Sequence, residues 1–324
     1  MRLGVIGATG MVGSTLIKIL QERDFSADDF CFYASPRSAG KTLKFRGLEY
    51  VVKALDDNII NDGLDMALFV AGGDISVKYA PYLAEKGVIV IDNSSKFRMR
   101  EDVPLVVPEV NGEIAKSHKG IISNPNCSTI QAVVALAPLH KAFGLRRVVY
   151  STYQAVSGAG QNGWMDLEEG LKGMPHKHFS HPIAGNIIPQ IDIFSHCGYT
   201  NEELKMMGET KKILGLPNLG VTATCVRVPV FNGHSISINA EFENEVDIKD
   251  VIRILKSSAG VYVKDDTENG VYPMPICADG KDETYIGRIR RDNSVENGLN
   301  MWVVADNLRK GAATNAVQIA ELFL

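Results

Sequence analysis

Short apolar runs alternate with amphipathic stretches over the first 122 residues of the chain. "LGVIGA" (3–8) is apolar without a break, as a strand buried on both faces is, and "STLIKILQER" (14–23) places Leu16, Ile17, Ile19 and Leu20 on one side of a predicted helix. The alternation continues with strand "FCFYAS" (30–35), strand "MALFVAG" (66–72), helix "VKYAPYLAEKG" (77–87) and strand "VIVIDNS" (88–94). This order predicts βαβ units and a Rossmann-like, doubly wound parallel sheet, making the first 122 residues an α/β domain. Beyond it, "RVVYSTYQAV" (147–156), "TATCVRVPV" (222–230) and "HSISINAEF" (234–242) follow one another with fewer helices between them. Residues 123–306 are therefore expected to form an α+β domain around a mixed, largely antiparallel sheet. In the last stretch, 307–324, Ala316, Ile319, Ala320 and Phe323 share one helical stripe, which is expected to return to the first domain. No internal repeat or low-complexity linker interrupts the pattern.

Composition narrows the function classes. A chain of 324 residues exceeds the usual size of one hydrophobic core, and 45% apolar with 22% charged residues is ordinary for a globular protein. The net charge of −4 supplies no basic field for nucleic acid, and no segment approaches eighteen uninterrupted apolar residues, so neither nucleic acid nor a membrane is an expected partner. The start, "MRLGVIGATGMVG", lacks the features of a secretory signal, and the five cysteines are scattered without a CxxC pair. A reducing, cytoplasmic setting is expected, with no metal site.

Gly7, Gly10 and Gly13 stand between the first strand and first helix in a GxxGxxG spacing, which is not the GxGxxG dinucleotide fingerprint. In a βαβ setting such a turn lets backbone N–H groups approach a pyrophosphate, although glycines also serve backbone angles alone. The second strand runs into "ASPRSAGK" without the acid that binds the ribose hydroxyls of NAD. Ser35, Arg37 and Ser38 are donors suited to a 2′-phosphate, so NADP(H) is the expected nucleotide; a solvated loop arginine is the alternative.

In "SNPNCSTIQ", Pro125 breaks the incoming strand and Cys127 opens a helix with Ser128 and Thr129 in its first turn. A thiol there feels the helix dipole that favours thiolate, so Cys127 is either a nucleophile or a small packed hydrophobe; Cys31 and Cys225, inside apolar strands, read as the latter. Arg227, the sole charge in "TATCVRVPV", needs a partner, whether a protein carboxylate or a bound anion.

Seven segments in order, "GATGMVG", "SNPNCSTIQ", "YQAVSGAG", "NIIPQID", "ETKKIL", "RVPVFNGHS" and "VADNLRKGAA", together resemble bacterial aspartate-semialdehyde dehydrogenases over essentially the whole length. The resemblance implies reversible reductive dephosphorylation of L-aspartyl 4-phosphate by NADPH, giving aspartate 4-semialdehyde and phosphate through a cysteine thioester, in the biosynthesis of lysine (through diaminopimelate), threonine, methionine and isoleucine. By the family pattern Cys127 matches the nucleophile, His234 the acid/base, and Gln154 the amide that orients the acyl group. Arg227 matches the ligand of the substrate carboxylate, Arg98 and Lys212 those of the phosphate, and Glu209 that of the ammonium. Asn126 stands where a related reductase has glycine and is expected to help choose the substrate. For the nucleotide the pattern implicates Thr9, Gly10, Met11 and Val12 at the pyrophosphate, Arg37 and Ser38 at the 2′-phosphate, and Ser157, Gly158 and Asn307 toward the nicotinamide; Gly7 of the glycine turn and Ser35 join them from the residues themselves, and Gly72 is expected to close the other side. It also implies an NADP-binding domain at 1–122, a catalytic and dimerisation domain at 123–306, a C-terminal helix at 307–324, and at least a homodimer.

N-acetyl-glutamyl-phosphate reductase runs the same chemistry, but its cysteine motif resembles NPGCY, and its acetylated substrate has no use for an ammonium ligand such as Glu209. Glyceraldehyde-3-phosphate dehydrogenase, with SxxxCTT around its cysteine, fits less well. A non-catalytic NADP-binding paralogue would be expected to lose some of Cys127, Gln154, Arg227 and His234, and all four stand. His176, His178 and His181 form the one histidine cluster, but without an acid or thiol beside them they make a poor metal site.

Overall fold

The computed structural model describes all of residues 1–324, which divide into two compact units, Met1–Pro125 with Ala312–Leu324, and Asn126–Gly311. In the first unit the strands are β1 (Arg2–Ile6), β2 (Asp29–Ala34), β3 (Thr42–Phe45), β4 (Leu48–Val51), β5 (Lys53–Ala54), β6 (Met66–Phe69), β7 (Ile89–Asp92) and β8 (Ile121–Ser123). Six of them form a parallel sheet in the order β5-β2-β1-β6-β7-β8, and β3 and β4 form a separate hairpin. Its helices are α1 (Met11–Glu22), α2 (Gly73–Glu85), the single turn α3 (Pro108–Asn111) and, from the end of the chain, Thr314–Glu321.

The apolar runs are buried on both faces, and successive residues part to opposite sides of the sheet. Leu3, Val5, Phe30, Phe32, Met66, Leu68 and Ile91 pack with Leu16, Ile19 and Leu20 of α1 and with Ala316, Val317 and Ile319 of the C-terminal helix. Ile6, Tyr33, Ala67, Phe69 and Val90 pack on the other side with Tyr79, Ala80 and Leu83 of α2. An Arg23–Glu321 pair, bidentate at 2.7 and 2.6 Å, ties the C-terminal helix to the end of α1.

The second unit holds β9 (Leu145–Gln154), β10 (Gly220–Arg227), β11 (His234–Phe242), β12 (Val261–Val263), β13 (Thr284–Asp292) and β14 (Gly298–Ala305) in one sheet of order β10-β9-β11-β14-β13-β12. β9/β11, β11/β14 and β13/β14 are antiparallel, whereas β10/β9 and β12/β13 are parallel, so the sheet is mixed with antiparallel pairs in the majority. The helices here are α4 (Cys127–Phe143), α5 (Gly160–Gly170), α6 (Asn201–Leu214), α7 (Ile248–Lys256) and the short α8 (Pro275–Ala278); the C-terminal helix is therefore α9. One face of the sheet carries Val148, Tyr150, Cys225, Ile236, Ile238, Met301 and Val303 against α4, α6 and α7. The opposite face carries polar and aromatic residues, among them Tyr153 and Tyr262, 38% and 52% exposed.

Where element bounds differ from the sequence pattern, local chemistry explains it. The strand expected over 66–72 stops at Phe69, because Gly72 turns the chain at φ 95° and α2 begins at Gly73, earlier than its apolar period suggested. The helix expected over 307–324 is regular only from Thr314. Asp306 accepts from the N–H of Leu308 and Arg309, and a wider helical turn over Arg309–Ala313 intervenes. The β3–β4 hairpin turns on Arg46 and Gly47 at φ 49° and 77°. No helix is long and apolar enough to cross a membrane.

Candidate active site

Cys127 is the first residue of α4, and Asn126 is the cap that starts it. Its side-chain Oδ1 accepts from the N–H of Ser128 at 2.9 Å and Thr129 at 3.2 Å, satisfying two of the donors a helix start leaves open. The thiol, partly accessible, therefore sits at the positive end of a 17-residue helix, a position that favours an anionic sulfur. Gly311 passes close beside it: a Cβ there would lie 3.0 Å from the Cβ of Cys127.

The amides around Cys127 are wired to one carboxylate that the sequence did not single out. Glu202, 6% exposed on α6, accepts through Oε1 from Asn126 Nδ2 at 2.8 Å and from Gln154 Nε2 at 3.1 Å. Its Oε2 lies 3.3 Å from Lys205 Nζ. An ionised carboxylate only accepts, so both amides must turn their NH2 groups to Glu202. Gln154 Oε1 in turn accepts from Thr152 Oγ1 at 2.9 Å, which fixes the amide at the end of β9. Glu209, buried two helical turns further along α6, accepts from the backbone N–H of Asn126 at 2.7 Å. Lys212 follows one turn later and is half-buried. The seven-residue spacing of Glu202 and Glu209 is the signal that places both on one helix face.

His234, the first residue of β11, is fully buried. Its Nδ1 accepts from the N–H of Ala155 at 3.0 Å, so a neutral ring must carry its proton on Nε2, which has no protein partner. Burial, reinforced by the Arg227 charge, pushes its pKa well below the ordinary imidazole value, and the ring is neutral at pH 7. Arg227, at the end of β10, is 5% exposed and donates Nη1 to the carbonyl of Ala155 at 2.6 Å, while its buried Nε has no partner. Burial lowers its pKa, opposed by nearby Glu202; an arginine stays charged throughout. Gly158 leaves the space that both groups face, since a Cβ there would lie 2.9 Å from Arg227 Nη1 and 3.2 Å from His234 Nε2. Ser157 and Asn307 meet through Asn307 Nδ2 to Ser157 Oγ at 2.9 Å, and Asn307 Oδ1 accepts from the N–H of Gly233 at 2.9 Å.

The second unit thus gathers Asn126, Cys127, Gln154, Ser157, Gly158, Glu202, Glu209, Lys212, Arg227, His234 and Asn307. The other candidate residues belong to the first unit. There Arg98, 7% exposed, donates Nε to the carbonyl of Asn124 at 2.9 Å and Nη2 to that of Asn93 at 2.8 Å. Gly7, at φ 99°, packs so closely that a Cβ would lie 2.8 Å from the backbone of Val70, and a Cβ on Gly13 would lie 2.1 Å from the carbonyl of Gly7. These glycines let α1 begin hard against the strand ends. Thr9 and Gly10 are exposed, Met11 and Val12 open the helix, and no side chain caps it and no acid stands in its first turn. Gly72 precedes α2, likewise without a side-chain cap. Ser35 and Arg37 are exposed and Ser38 half-buried in the turn after β2. Open helix N–H groups with a guanidinium and hydroxyls at hand fit the phosphates of a dinucleotide. No cluster of three or more His, Cys, Asp or Glu side chains is placed to hold a metal ion.

Residues 2–118 match the model of the semialdehyde dehydrogenase NAD-binding domain, and residues 136–310 that of the semialdehyde dehydrogenase dimerisation domain. A protein of Aquifex aeolicus named aspartate-semialdehyde dehydrogenase is 55% identical over 100% of this chain and 98% of its own. The chain belongs to the aspartate-semialdehyde dehydrogenase family. This is a family of oxidoreductases, and the two domain types account for the parallel and the mixed sheet. The crystal structure of aspartate semialdehyde dehydrogenase II from Vibrio cholerae complexed with ASA is 46% identical and matches with a TM-score of 0.95, over 99% of this chain and 97% of that one. A Candida albicans aspartate semialdehyde dehydrogenase solved with NADP is 28% identical, with a TM-score of 0.76 over 99% and 98% of the two chains.

Proposed function

We propose that the protein catalyses the reversible, NADPH-dependent reductive dephosphorylation of L-aspartyl 4-phosphate to L-aspartate 4-semialdehyde and phosphate, a step toward lysine, threonine, methionine and isoleucine. The observation that carries the reading is the hollow at Gly158, faced by the unpartnered Nε2–H of His234 and the buried guanidinium of Arg227. The Cys127 sulfur attacks the acyl carbon; the C–S bond forms, the C–O bond to phosphate breaks, and phosphate leaves with the electron pair. Gln154, its orientation fixed by Thr152 and Glu202, holds the acyl oxygen. The nicotinamide, when bound, supplies the hydride. His234 donates a hydrogen bond from Nε2–H to the oxygen that carries negative charge at the tetrahedral stage, and keeps that proton as the alkoxide collapses, the C–S bond breaks with its electron pair on sulfur and the aldehyde leaves. In its resting tautomer Nε2 has no lone pair for the thiol proton, so His234 serves oxygen, and the start of α4 serves the sulfur.

Arg227 forks onto the α-carboxylate, Glu209 meets the ammonium, and Arg98 and Lys212 take the phosphate. Thr9 to Val12 with Gly7 bind the pyrophosphate, Gly72 closes the other side of the nucleotide, Ser35, Arg37 and Ser38 bind the 2′-phosphate, and Ser157, Gly158 and Asn307 the nicotinamide end. The protein acts as a homodimer whose interface is the sheet face bearing Tyr153 and Tyr262.

The test is the phosphorolytic direction, with aspartate semialdehyde, phosphate and NADP⁺, followed by NADPH absorbance. Wild type should turn over and Cys127→Ala should not. An inert wild type, or an active Cys127→Ala, would overturn the reaction assignment. Arg37→Ala should cut the preference for NADP⁺ over NAD⁺ by about 10- to 100-fold, the worth of one charge-assisted contact; an unchanged preference reassigns Arg37 to the solvent.

A further inference from the structure

The segment carrying His176, His178 and His181 has no regular structure and is mostly exposed, yet it is held by one buried side chain. Asp166 on α5, 4% exposed, accepts from three consecutive backbone N–H groups: Lys177 at 2.7 Å, His178 at 2.9 Å and Phe179 at 2.8 Å. A carboxylate spent on three adjacent amides fixes the path of the loop more firmly than its exposed Lys177–Glu169 pair can. What that path delivers is Phe179. Its ring packs with the apolar cluster of Val156, Leu167, Ile183 and Ile188, and its centroid lies 5.7 Å from the guanidinium carbon of Arg227. Room for the ring is made by Gly163, where a Cβ would come within 3.1 Å of the ring tip. The histidines frame it: His176 Nδ1 donates to the carbonyl of Phe179 at 2.9 Å, and the His178 ring stands edge-on at 5.1 Å.

Arg227 itself is under-determined by its hydrogen bonds. One nitrogen is anchored on Ala155 and the buried Nε has no acceptor. An aromatic face is one of the few neighbours that can cover a guanidinium plane without neutralising it or competing for its donors. A carboxylate in that place would occupy the fork; an aliphatic side chain would only desolvate the charge.

We propose that Phe179, clamped by Asp166, is a positioning residue that fixes the plane of the Arg227 guanidinium and thereby sets discrimination for substrates bearing an α-carboxylate. The inference rests on the reading that Arg227 grips that carboxylate, and the test separates the two. KM and kcat are measured in the phosphorolytic direction for aspartate semialdehyde and for 3-aminopropanal, the same amino aldehyde without the carboxylate. The enzymes compared are wild type, Arg227→Lys, Phe179→Leu, Asp166→Asn and an isosteric protein carrying 3,5-difluorophenylalanine at 179. The fluorinated ring keeps its volume, leaves the tip facing Gly163 unchanged and weakens the negative π face.

Phe179→Leu should raise KM for aspartate semialdehyde about fivefold, the loss of one partly desolvated cation–π contact. It should move kcat, the KM values for phosphate and NADP⁺, and kcat/KM for 3-aminopropanal by less than about twofold. Asp166→Asn should follow in the same direction, the fluorinated ring should give about a twofold rise, and the Asp166/Phe179 double variant should be less than additive. If Arg227→Lys leaves the discrimination between the two aldehydes intact, the carboxylate role of Arg227 falls. If Arg227→Lys abolishes it while the Phe179 variants keep the wild-type KM, the positioning role of Phe179 falls alone.

Discussion

Gly158 is the position where stability and activity should come apart. Its backbone lies outside the left-handed region, so alanine is conformationally allowed, and the obstacle is the side chain alone. A Cβ would sit 2.9 Å from Arg227 Nη1 and 3.2 Å from Cε1 and Nε2 of His234. Ordinary contact begins near 3.5 Å, so the guanidinium must retreat by about 0.6 Å and the imidazole by about 0.3 Å. Neither can do so freely: Arg227 Nη1 is tied to the carbonyl of Ala155 at 2.6 Å and His234 Nδ1 to its N–H at 3.0 Å.

Overpacking of this kind costs about 1–3 kcal/mol, and removing a glycine from the unfolded chain returns about 0.4–1 kcal/mol. The net loss, from nothing to about 2.5 kcal/mol, amounts to a fall in Tm of less than about 10 °C for a unit of this size. Catalysis is far more exposed, because misplacing reacting groups by up to an ångström costs about 100-fold. Gly158→Ala should therefore fold, melt within that range of wild type, and lose about 100-fold in kcat/KM for aspartate semialdehyde. The measurements are NADPH production under subsaturating substrate and a thermal melt on the same preparation. A variant that melts normally and keeps kcat/KM within threefold of wild type would show that Arg227 and His234 do not share a tightly dimensioned hollow.

Two further expectations concern a buried carboxylate and a buried imidazole. Glu202→Gln keeps one acceptor for Asn126 and Gln154 but turns an NH2 toward Lys205 and removes the negative charge that offsets Arg227; kcat should fall about tenfold with a loss of about 1–3 kcal/mol in stability, and a kcat equal to wild type would mean that the amides hold themselves. His234 is neutral in the fold with a depressed pKa, whereas in the unfolded chain it protonates near pH 6.5. Stability tied to this residue is thus complete above about pH 6.5 and drains away as pH falls below it, at most about 1.4 kcal/mol per unit. His234→Asn keeps an acceptor for Ala155 and cannot titrate, so the Tm of wild type should drop relative to the variant between pH 7 and 5; a constant difference across that range would place His234 in water.

How much of this was legible in the chain depends on whether the cause is local. Strands β1, β2, β6 and β7 of the parallel sheet were readable because burial on both faces demands unbroken apolar runs, as in "LGVIGA", whereas the two-residue β5 is too short to show one; the start of α4 was readable because Pro125 and a polar first turn are short-range signals. The turn after β6 is not visible in the apolar period, because Gly72 sets the start of α2. Glu202 carried a faint signal, its two-turn spacing from Glu209, but its partners lie 76 and 48 residues away. Asp166 and Phe179 carried none: one of three acids in "MDLEEG" and a lone aromatic in "HKHFSH" acquire meaning only when the loop closes on Arg227.

The same distinction explains why "YQAVSG" is so informative a string while its middle residues have so little chemistry. Ala155 contributes no functional side chain, yet its N–H fixes the tautomer of His234 and its carbonyl anchors Arg227. The carbonyl of Gln154 takes the N–H of Val228, and the N–H groups of Val156 and Ser157 are bound by the carbonyls of Val230 and Phe231. That ladder sets the height of the whole segment against the chain leading from β10 to β11. Ser157 then reaches Asn307, and Gly158 supplies the vacancy that the two charged and polar side chains share. Five consecutive residues therefore act as a jig for groups 70 to 150 positions away, mostly through main-chain atoms. Substitutions along a jig move several groups together, so pairs drawn from Gln154, Gly158, Arg227 and His234 should be strongly non-additive in kcat/KM, whereas any of them paired with Arg37, which belongs to the other unit, should combine additively.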